Sequence, residues 1–515
     1  MSNFLGYKWL AEHLDIVAVQ PFAVESQLGR SRRTHVAEAL RQETYPVSAQ
    51  LQPTIAAHLT FAFKHEIVNL EFLSRLFKCV DAAVFEQWIR NEPTGGYARR
   101  TGFFYEWMTG LKLDVPDAPA GNYIDALDPD TYFVATRALN VPRWRIRDNL
   151  PGTRQFCPIV IRTEAIRRME SYDCAAALHA LEVEFGSDIL LRSAVWLTIK
   201  ESRASFLIEH EERKVERVQR FAAVMESRCG KDPQPFSVET LSSLQAEILG
   251  AATRYGIRQS PVFVGHSVNY LDKVDYIAPH WEQTQPLLQG LQDTLVKTQT
   301  ASPLTRAAIA SFGFVFIHPM SDGNGRISRF LVNDILRRDG AVPEPFILPI
   351  SATITNSTAE RAGYDRALER FSRPLMRHYA DKYRFGAMTS HADGVESNLH
   401  FDAYDDAEPV WRFPDLTGQA EYMGHVIQAT IELEMTREAI FLRDIEHARA
   451  DVKEYLEGPN TDIDHIIRSV RENRWSVSNK LKKTFPQLQD GELADSIVSA
   501  IRNVFDPQHD PATDD

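Results

Sequence analysis

His318-Pro319-Met320-Ser321-Asp322-Gly323-Asn324-Gly325-Arg326-Ile327-Ser328-Arg329 decides the reading of this chain. The apolar run Phe312-Gly313-Phe314-Val315-Phe316-Ile317 leads in, and a helix-patterned segment from Ile327 to Arg338 leads out. The pattern predicts a helix, a tight loop and a second helix. The loop then sits at the second helix's N-terminus, where free N–H groups and the helix dipole favour an anion. Gly323 and Gly325 let the backbone come close to a ligand, and successive N–H groups in such a turn form a nest for phosphate oxygens.

The side chains suit the same chemistry. Arg326 and Arg329 are three apart and share one side of the helix start, and an arginine fork matches phosphate geometry. Asp322 offers a hard oxygen to magnesium held between one carboxylate and a nucleotide's phosphates. His318 is the side chain here whose ordinary pKa suits taking a proton from a hydroxyl. Together these groups describe nucleotidyl or phosphoryl transfer.

The stretch resembles the Fic family signature, His-Pro-Phe-x-(Asp/Glu)-Gly-Asn-Gly-Arg-x-x-Arg, with Met320 in the phenylalanine position. Methionine can anchor the loop in the core just as well. The resemblance covers roughly residues 196 to 385 and implies a mainly α fold: a Fic-type helical core with a flap β-hairpin. It implies AMP transfer from ATP to a Ser, Thr or Tyr hydroxyl of a target protein. His318 would be the base, Asp322 would hold Mg2+, Gly323, Asn324 and Gly325 would cradle the phosphates, and Arg326 and Arg329 would grip the distal ones.

Three further segments follow from the resemblance. Ser205 and Glu209 lie four apart on one helical face, like the family's inhibitory pattern (Ser/Thr)-x-x-x-Glu-(Gly/Asn), with His210 in the last position. Glu209 would occupy Arg329 and spoil the nucleotide's alignment. Val262, Phe263 and Val264 begin a hairpin, after Tyr255 and running on to Pro279, that resembles the flap on which a target peptide adds as a strand. Tyr364 and Leu368 resemble the helix bordering the adenine site.

Composition bounds the rest. The 515 residues favour about three domains. Hydrophobic content of 44% and charged content of 25% are those of a globular protein. A net charge of -13 argues against nucleic acid as a general partner. The four cysteines, Cys79, Cys157, Cys174 and Cys229, form no Cys-x-x-Cys pair, which suits a reducing cytoplasm. Neither a signal peptide nor a membrane span is expected.

Along the chain, residues 1 to 50 are mixed, with a basic cluster at Gly29-Arg33, and Pro53 to Trp88 suggests two helices. Phe103, Phe104, Tyr105 and Trp107 read as core. Tyr132-Ala135, Trp144-Arg147 and Phe156-Ile161 read as short strands. Ser302-Pro303 opens the helix that delivers the motif, and Gly340 closes the one that follows. The expected organisation is an N-terminal mostly helical domain with a small sheet (1–190), a catalytic domain (191–388), a linker (389–405), a C-terminal helical domain (406–505) and a disordered tail (506–515). Homo-oligomerisation is left open. So are other chemistries on the same scaffold: transfer of UMP, phosphocholine or phosphate, or removal of AMP. A regulator whose C-terminal helices bind DNA or a partner is the non-enzymatic alternative.

Overall fold

Two antiparallel helices joined at the motif form the centre of the computed structural model, which describes residues 3–37, 40–209, 215–250, 256–268 and 271–506. His210, Glu211, Glu212, Tyr255 and the tail beyond Asp506 lie outside the described residues. The fold is mainly α. Helix Pro303–Ile317 starts as its sequence predicts, with the Ser302 hydroxyl accepting from Thr305 N and proline in the first turn. All but two of its residues are buried, so it forms the axis of the main core. Helix Asn324–Arg338 packs beside it and ends at Gly340, whose φ of +75° suits glycine.

Around this pair lie helices Ser187–Ile208, Val215–Arg228, Val238–Leu249, Ile350–Asn356 and Thr358–His378. Helix Ser187–Ile208 is mixed on both faces: Ser193, Thr198, Glu201, Ser202 and Ser205 are buried among Leu190, Leu197, Phe206 and Ile208, while Leu191, Val195, Trp196, Ile199 and Leu207 face outward. No helix among the described residues is long and apolar enough to cross a membrane.

The main core ignores the expected boundaries. It begins at Val19, takes in Phe156 to Leu181, and continues to Ala439. Residues 389–405 are not a linker. Tyr383–Ser390 pairs antiparallel with Glu396–Phe401, and helix Tyr404–Arg412 follows at once. Leu399 and Phe401 anchor this second hairpin in the core, which is why a polar stretch is nonetheless ordered. A separate small core joins the end of helix Thr436–Lys453 to helices Asn460–Glu472, Asn479–Thr484 and Gly491–Phe505.

The N-terminal region also differs in detail. Residues before 50 hold helix Gly6–Leu14 and a four-stranded sheet with strands Phe4–Leu5, Val24–Gly29, Leu40–Pro46 and Arg33–Ala37 in that spatial order. The basic cluster lies at this sheet, with Arg32 paired to Glu43 at 2.7 Å. Residues 53–88 make three helices rather than two, because Asp81 caps a third by accepting from Ala83 N. The expected small sheet is shifted to Ile124–Asp125, Ile146–Asp148 and Leu139–Val141. Tyr132 and Ile161 keep only an isolated bridge. Trp144 sits in a turn, because its ring fills the space left by Gly102 and its indole N–H donates to Glu106 Oε2 at 2.8 Å. Phe103, Phe104 and Tyr105 are core, as their spacing predicts.

Candidate active site

The motif helix ends at His318, whose φ of +49° turns the chain out of the helix. Its Nδ1 lies 3.1 Å from Val315 O. A carbonyl only accepts, so Nδ1 carries the proton and Nε2 presents a lone pair. Burial pushes the imidazole down to about 4; Arg258 adds to that push, while Val315 O and Glu209 oppose it. The ring is therefore neutral at pH 7 and able to accept a proton.

The loop is tied from inside. Met320 is fully buried and anchors it in the core. Asn324 Oδ1 accepts from Met320 N at 2.9 Å, and its Nδ2 donates to Met320 O at 2.8 Å. The Asn324 side chain thus holds the loop's shape, while its backbone N–H remains at the helix start. Gln245 donates to Asp322 O at 2.8 Å and accepts from Gly256 N, so helix Val238–Leu249 braces the loop. Gly323 takes φ +88° as the N-cap of helix Asn324–Arg338.

Both arginines are buried and point into the site. Arg326 donates to Asp322 Oδ1 at 2.7 Å and stacks on Phe206 at 5.0 Å. Arg329 donates from Nε to Ser205 Oγ at 2.8 Å, and from Nη2 to Ser205 O at 3.1 Å and to Glu209 Oε1 at 2.6 Å. Burial opposes the Glu209 charge, yet Arg329, with Arg326 and His318, holds its carboxyl below the ordinary value. The carboxylate lies against Gly325, where a Cβ would overlap its Oε1. Ser205, Glu209, Arg329 and the start of helix Asn324–Arg338 therefore form one cluster.

Among the described residues no group of three His, Cys, Asp or Glu side chains is arranged to hold a metal ion. Asp322 offers a carboxylate at the loop, and its side chain is 46% exposed. One carboxylate suits magnesium that takes its other ligands from phosphates and water.

The remaining expected residues fall around this cluster. Tyr364 is buried beside Arg329, with its ring near Phe312 and Tyr422. Leu368 packs half-buried against the main core. The hairpin forms from Phe263–Val268 and Leu271–Ile277, with Phe263 opposite Ile277 and a register shift after Val264. Val262 precedes it half-buried, Phe263 meets Phe385 edge to face at 5.3 Å, and Val264 is 43% exposed. Phe385 belongs to the second hairpin, whose Asp393 accepts from Gln259 N and Ser260 Oγ at 2.8 Å each.

Sequence reading missed Glu201, although it lies four residues before Ser205 on the same stripe. It is fully buried and accepts from Ser351 N and Ser351 Oγ at 2.6 Å each, fastening its helix to the start of helix Ile350–Asn356. Burial raises its carboxyl from the ordinary 4.5 to about 7, against the Ser351 bonds and the charge of Arg329. Between those values the folded chain holds a proton that the unfolded chain has lost. That stability is fully present below pH 4.5 and is lost as pH rises through 7. Glu201→Gln keeps an acceptor for Ser351 N and gains a donor for Ser351 Oγ. It is expected to stabilise the fold by about 3 kcal/mol at pH 8 and little at pH 4. Urea midpoints at both pH values check this; equal shifts at both would sink the titration account.

Residues 235–336 match the Fic/DOC family. The chain carries a Fic/DOC domain. It is similar to Protein adenylyltransferase fic-1 of Caenorhabditis elegans, 30% identical over 176 residues, which are 33% of this chain and 32% of that protein. Protein adenylyltransferase Fic of Nematostella vectensis is 29% identical over 117 residues, 21% of this chain and 25% of that protein. The chain thus spans about a third or less of the length of these relatives. A solved Fic family protein from Desulfovibrio desulfuricans G20 aligns with a TM-score of 0.35 and 16% identity, covering 63% of this chain and 94% of that one. The matched Fic/DOC stretch includes the hairpin and the whole motif. Ser205 and Glu209 lie N-terminal to it, and Tyr364 and Leu368 lie C-terminal.

Proposed function

We propose that this chain is a protein adenylyltransferase, transferring AMP from ATP to a Ser, Thr or Tyr hydroxyl of a target protein and held off in cis by Glu209. The observation that carries the reading is a neutral, half-buried His318 beside a helix N-terminus whose Arg329 is already occupied by a carboxylate. The names of the relatives favour AMP as the transferred group.

In this mechanism the target hydroxyl gives its proton to His318 Nε2 as its oxygen attacks the α-phosphorus. The bond from that phosphorus to the bridging oxygen breaks, and pyrophosphate leaves. Gly323 and Gly325 let the helix start approach the phosphates, with the Asn324 backbone N–H between them. Arg326 and Arg329 supply forked donors to the distal phosphates. Asp322 would hold magnesium, which supplies charge neutralisation on the phosphates when bound. Tyr364 and Leu368 border the nucleotide's far side, and the strand beginning at Phe263 offers an edge to the target.

Glu209 imitates a phosphate oxygen. It meets the same arginine and rests on the same glycine that a γ-phosphate needs. ATP then binds with its α-phosphate turned away from the line of attack, and misalignment costs rate steeply.

The test gives the Glu209→Gly chain ATP labelled at the α or the γ phosphorus. Transfer of the α label alone onto protein, with release of pyrophosphate, is the expected result. Transfer of the γ label would make the chain a kinase instead. Labelling from UTP or CDP-choline, with ATP silent, would replace the donor.

A further inference from the structure

Arg258 is 1% exposed and lies between the loop-bracing helix and the first hairpin strand. Its guanidinium reaches three separate parts of the chain. Nε donates to His318 O at 2.8 Å, Nη1 to Ser260 O at 3.0 Å, and Nη2 to Pro279 O at 2.6 Å and, more loosely, to Ile317 O at 3.5 Å. Its own backbone N–H donates to Pro319 O at 2.9 Å.

These partners have a pattern. Ser260 and Pro279 are the two feet of the hairpin, just outside strands Phe263–Val268 and Leu271–Ile277. Ile317, His318 and Pro319 are the end of the motif helix and the turn after it. One planar fork therefore joins both feet of the hairpin to the backbone of the base. A lysine, with three donors on a point charge, cannot match that geometry.

The charge is placed as deliberately as the donors. Its hydrogen-bond acceptors are backbone carbonyl oxygens, two of them at the negative end of helix Pro303–Ile317. Burial lowers the guanidinium to about 10, so it stays charged at neutral pH. The imidazole is faced by Arg258 from the hairpin foot, by Glu209 from the helix before the Fic/DOC domain, and by Val315 O from its own helix. Arg258 disfavours the protonated ring, which keeps Nε2 available.

We infer that Arg258 is a positioning residue that sets the distance and register between the hairpin and His318, so that a hydroxyl carried by a strand on the hairpin arrives at the base. The inference rests on the adenylyltransferase reading of His318 and the hairpin. It extends that reading by coupling target docking to proton transfer through one side chain.

The experiment compares Arg258→Met and Arg258→Lys, both in the full chain carrying Glu209→Gly. Four quantities are read: the rate of self-labelling from α-labelled ATP at saturation, the Kd for ATP, the melting temperature, and the titration midpoint of the His318 ring by NMR. The Met variant is expected to lose at least tenfold in labelling rate, to keep its ATP Kd within twofold, and to raise the His318 midpoint. The Lys variant is expected to hold the midpoint near that of the parent, yet to stay slow, because charge is restored without the fork. Parent-like labelling in the Met variant overturns the inference. So does a loss of ATP binding and melting temperature in both variants that matches the loss of rate, which would mark a purely structural role. No labelling in the Glu209→Gly parent sinks the adenylyltransferase reading instead; the midpoints and Kd values then decide alone whether Arg258 acts on His318.

Discussion

Glu209→Gly is expected to raise self-labelling from α-labelled ATP at least tenfold over the parent chain. The parent's Arg329 spends its Nη2 on Glu209 Oε1 and its Nε on Ser205 Oγ. The Glu209 side chain is 33% exposed, so the pair is worth less than the about 3–5 kcal/mol of a fully buried one, and each 1.4 kcal/mol is tenfold in an equilibrium. A competitor of that strength tethered to its site makes tenfold a floor. The glycine leaves Ser205 in place, so the helix keeps part of its hold while the carboxylate is gone. Acid should not substitute for the mutation. The Glu209 carboxyl is held below its ordinary 4.5, so its contribution is present above that value and is lost only as pH falls through the lowered one. The parent should therefore stay silent across the neutral range. Equal labelling by parent and variant would remove Glu209 as the inhibitor and leave the enzyme.

His318→Ala, made in the Glu209→Gly chain, is expected to lower that labelling by about 10²–10⁴-fold, the usual worth of a positioned general base. ATP binding should change less than twofold. The ring contributes nothing to the nest at Gly323 and Gly325, and its Nδ1 is engaged with Val315 O. Met320, buried two residues on, and the Asn324 bonds to the Met320 backbone hold the loop without help from the imidazole. Calorimetric titration with ATP, beside the labelling rate, separates the two effects. A variant that binds ATP and still labels at the parent rate would falsify the assignment of His318 as the base.

What could be read from the sequence was what is local. Ser302 and Pro303 start a helix, Gly323 and Gly340 stop or turn the chain, and Met320 fills the core, each within a few residues of its cause. Ser205 and Glu209, four apart, were legible through their resemblance to the family's inhibitory pattern. Glu201 was not, because the buried side of helix Ser187–Ile208 mixes Leu190, Leu197 and Phe206 with Ser193, Thr198 and Glu201, while Leu191, Val195 and Trp196 lie outside. Periodicity gives the stripes but not which one faces inward. The second hairpin escaped for a different reason. Most of Tyr383–Ser390 is exposed, and only Leu399 and Phe401 of the partner strand are buried, so the composition reads as loop while the pairing is real. Arg258 left no trace because its partners are backbone carbonyls up to 60 residues away, which any sequence could provide.

The missing Cβ at Gly325 has a consequence for how such a chain can change over generations. The same empty volume admits the regulatory carboxylate and, in the proposed mechanism, the nucleotide. In the proposed mechanism a mutation at Gly325 or Arg329 therefore strikes the catalyst and its restraint together, and is expected to yield a dead allele. A mutation at Glu209 strikes the restraint alone. Unregulated alleles are then one codon away, whereas alleles with stronger restraint must preserve every atom that the substrate uses. Where unchecked transfer harms the cell, selection has to watch one side of this contact, and that side lies outside the matched Fic/DOC stretch.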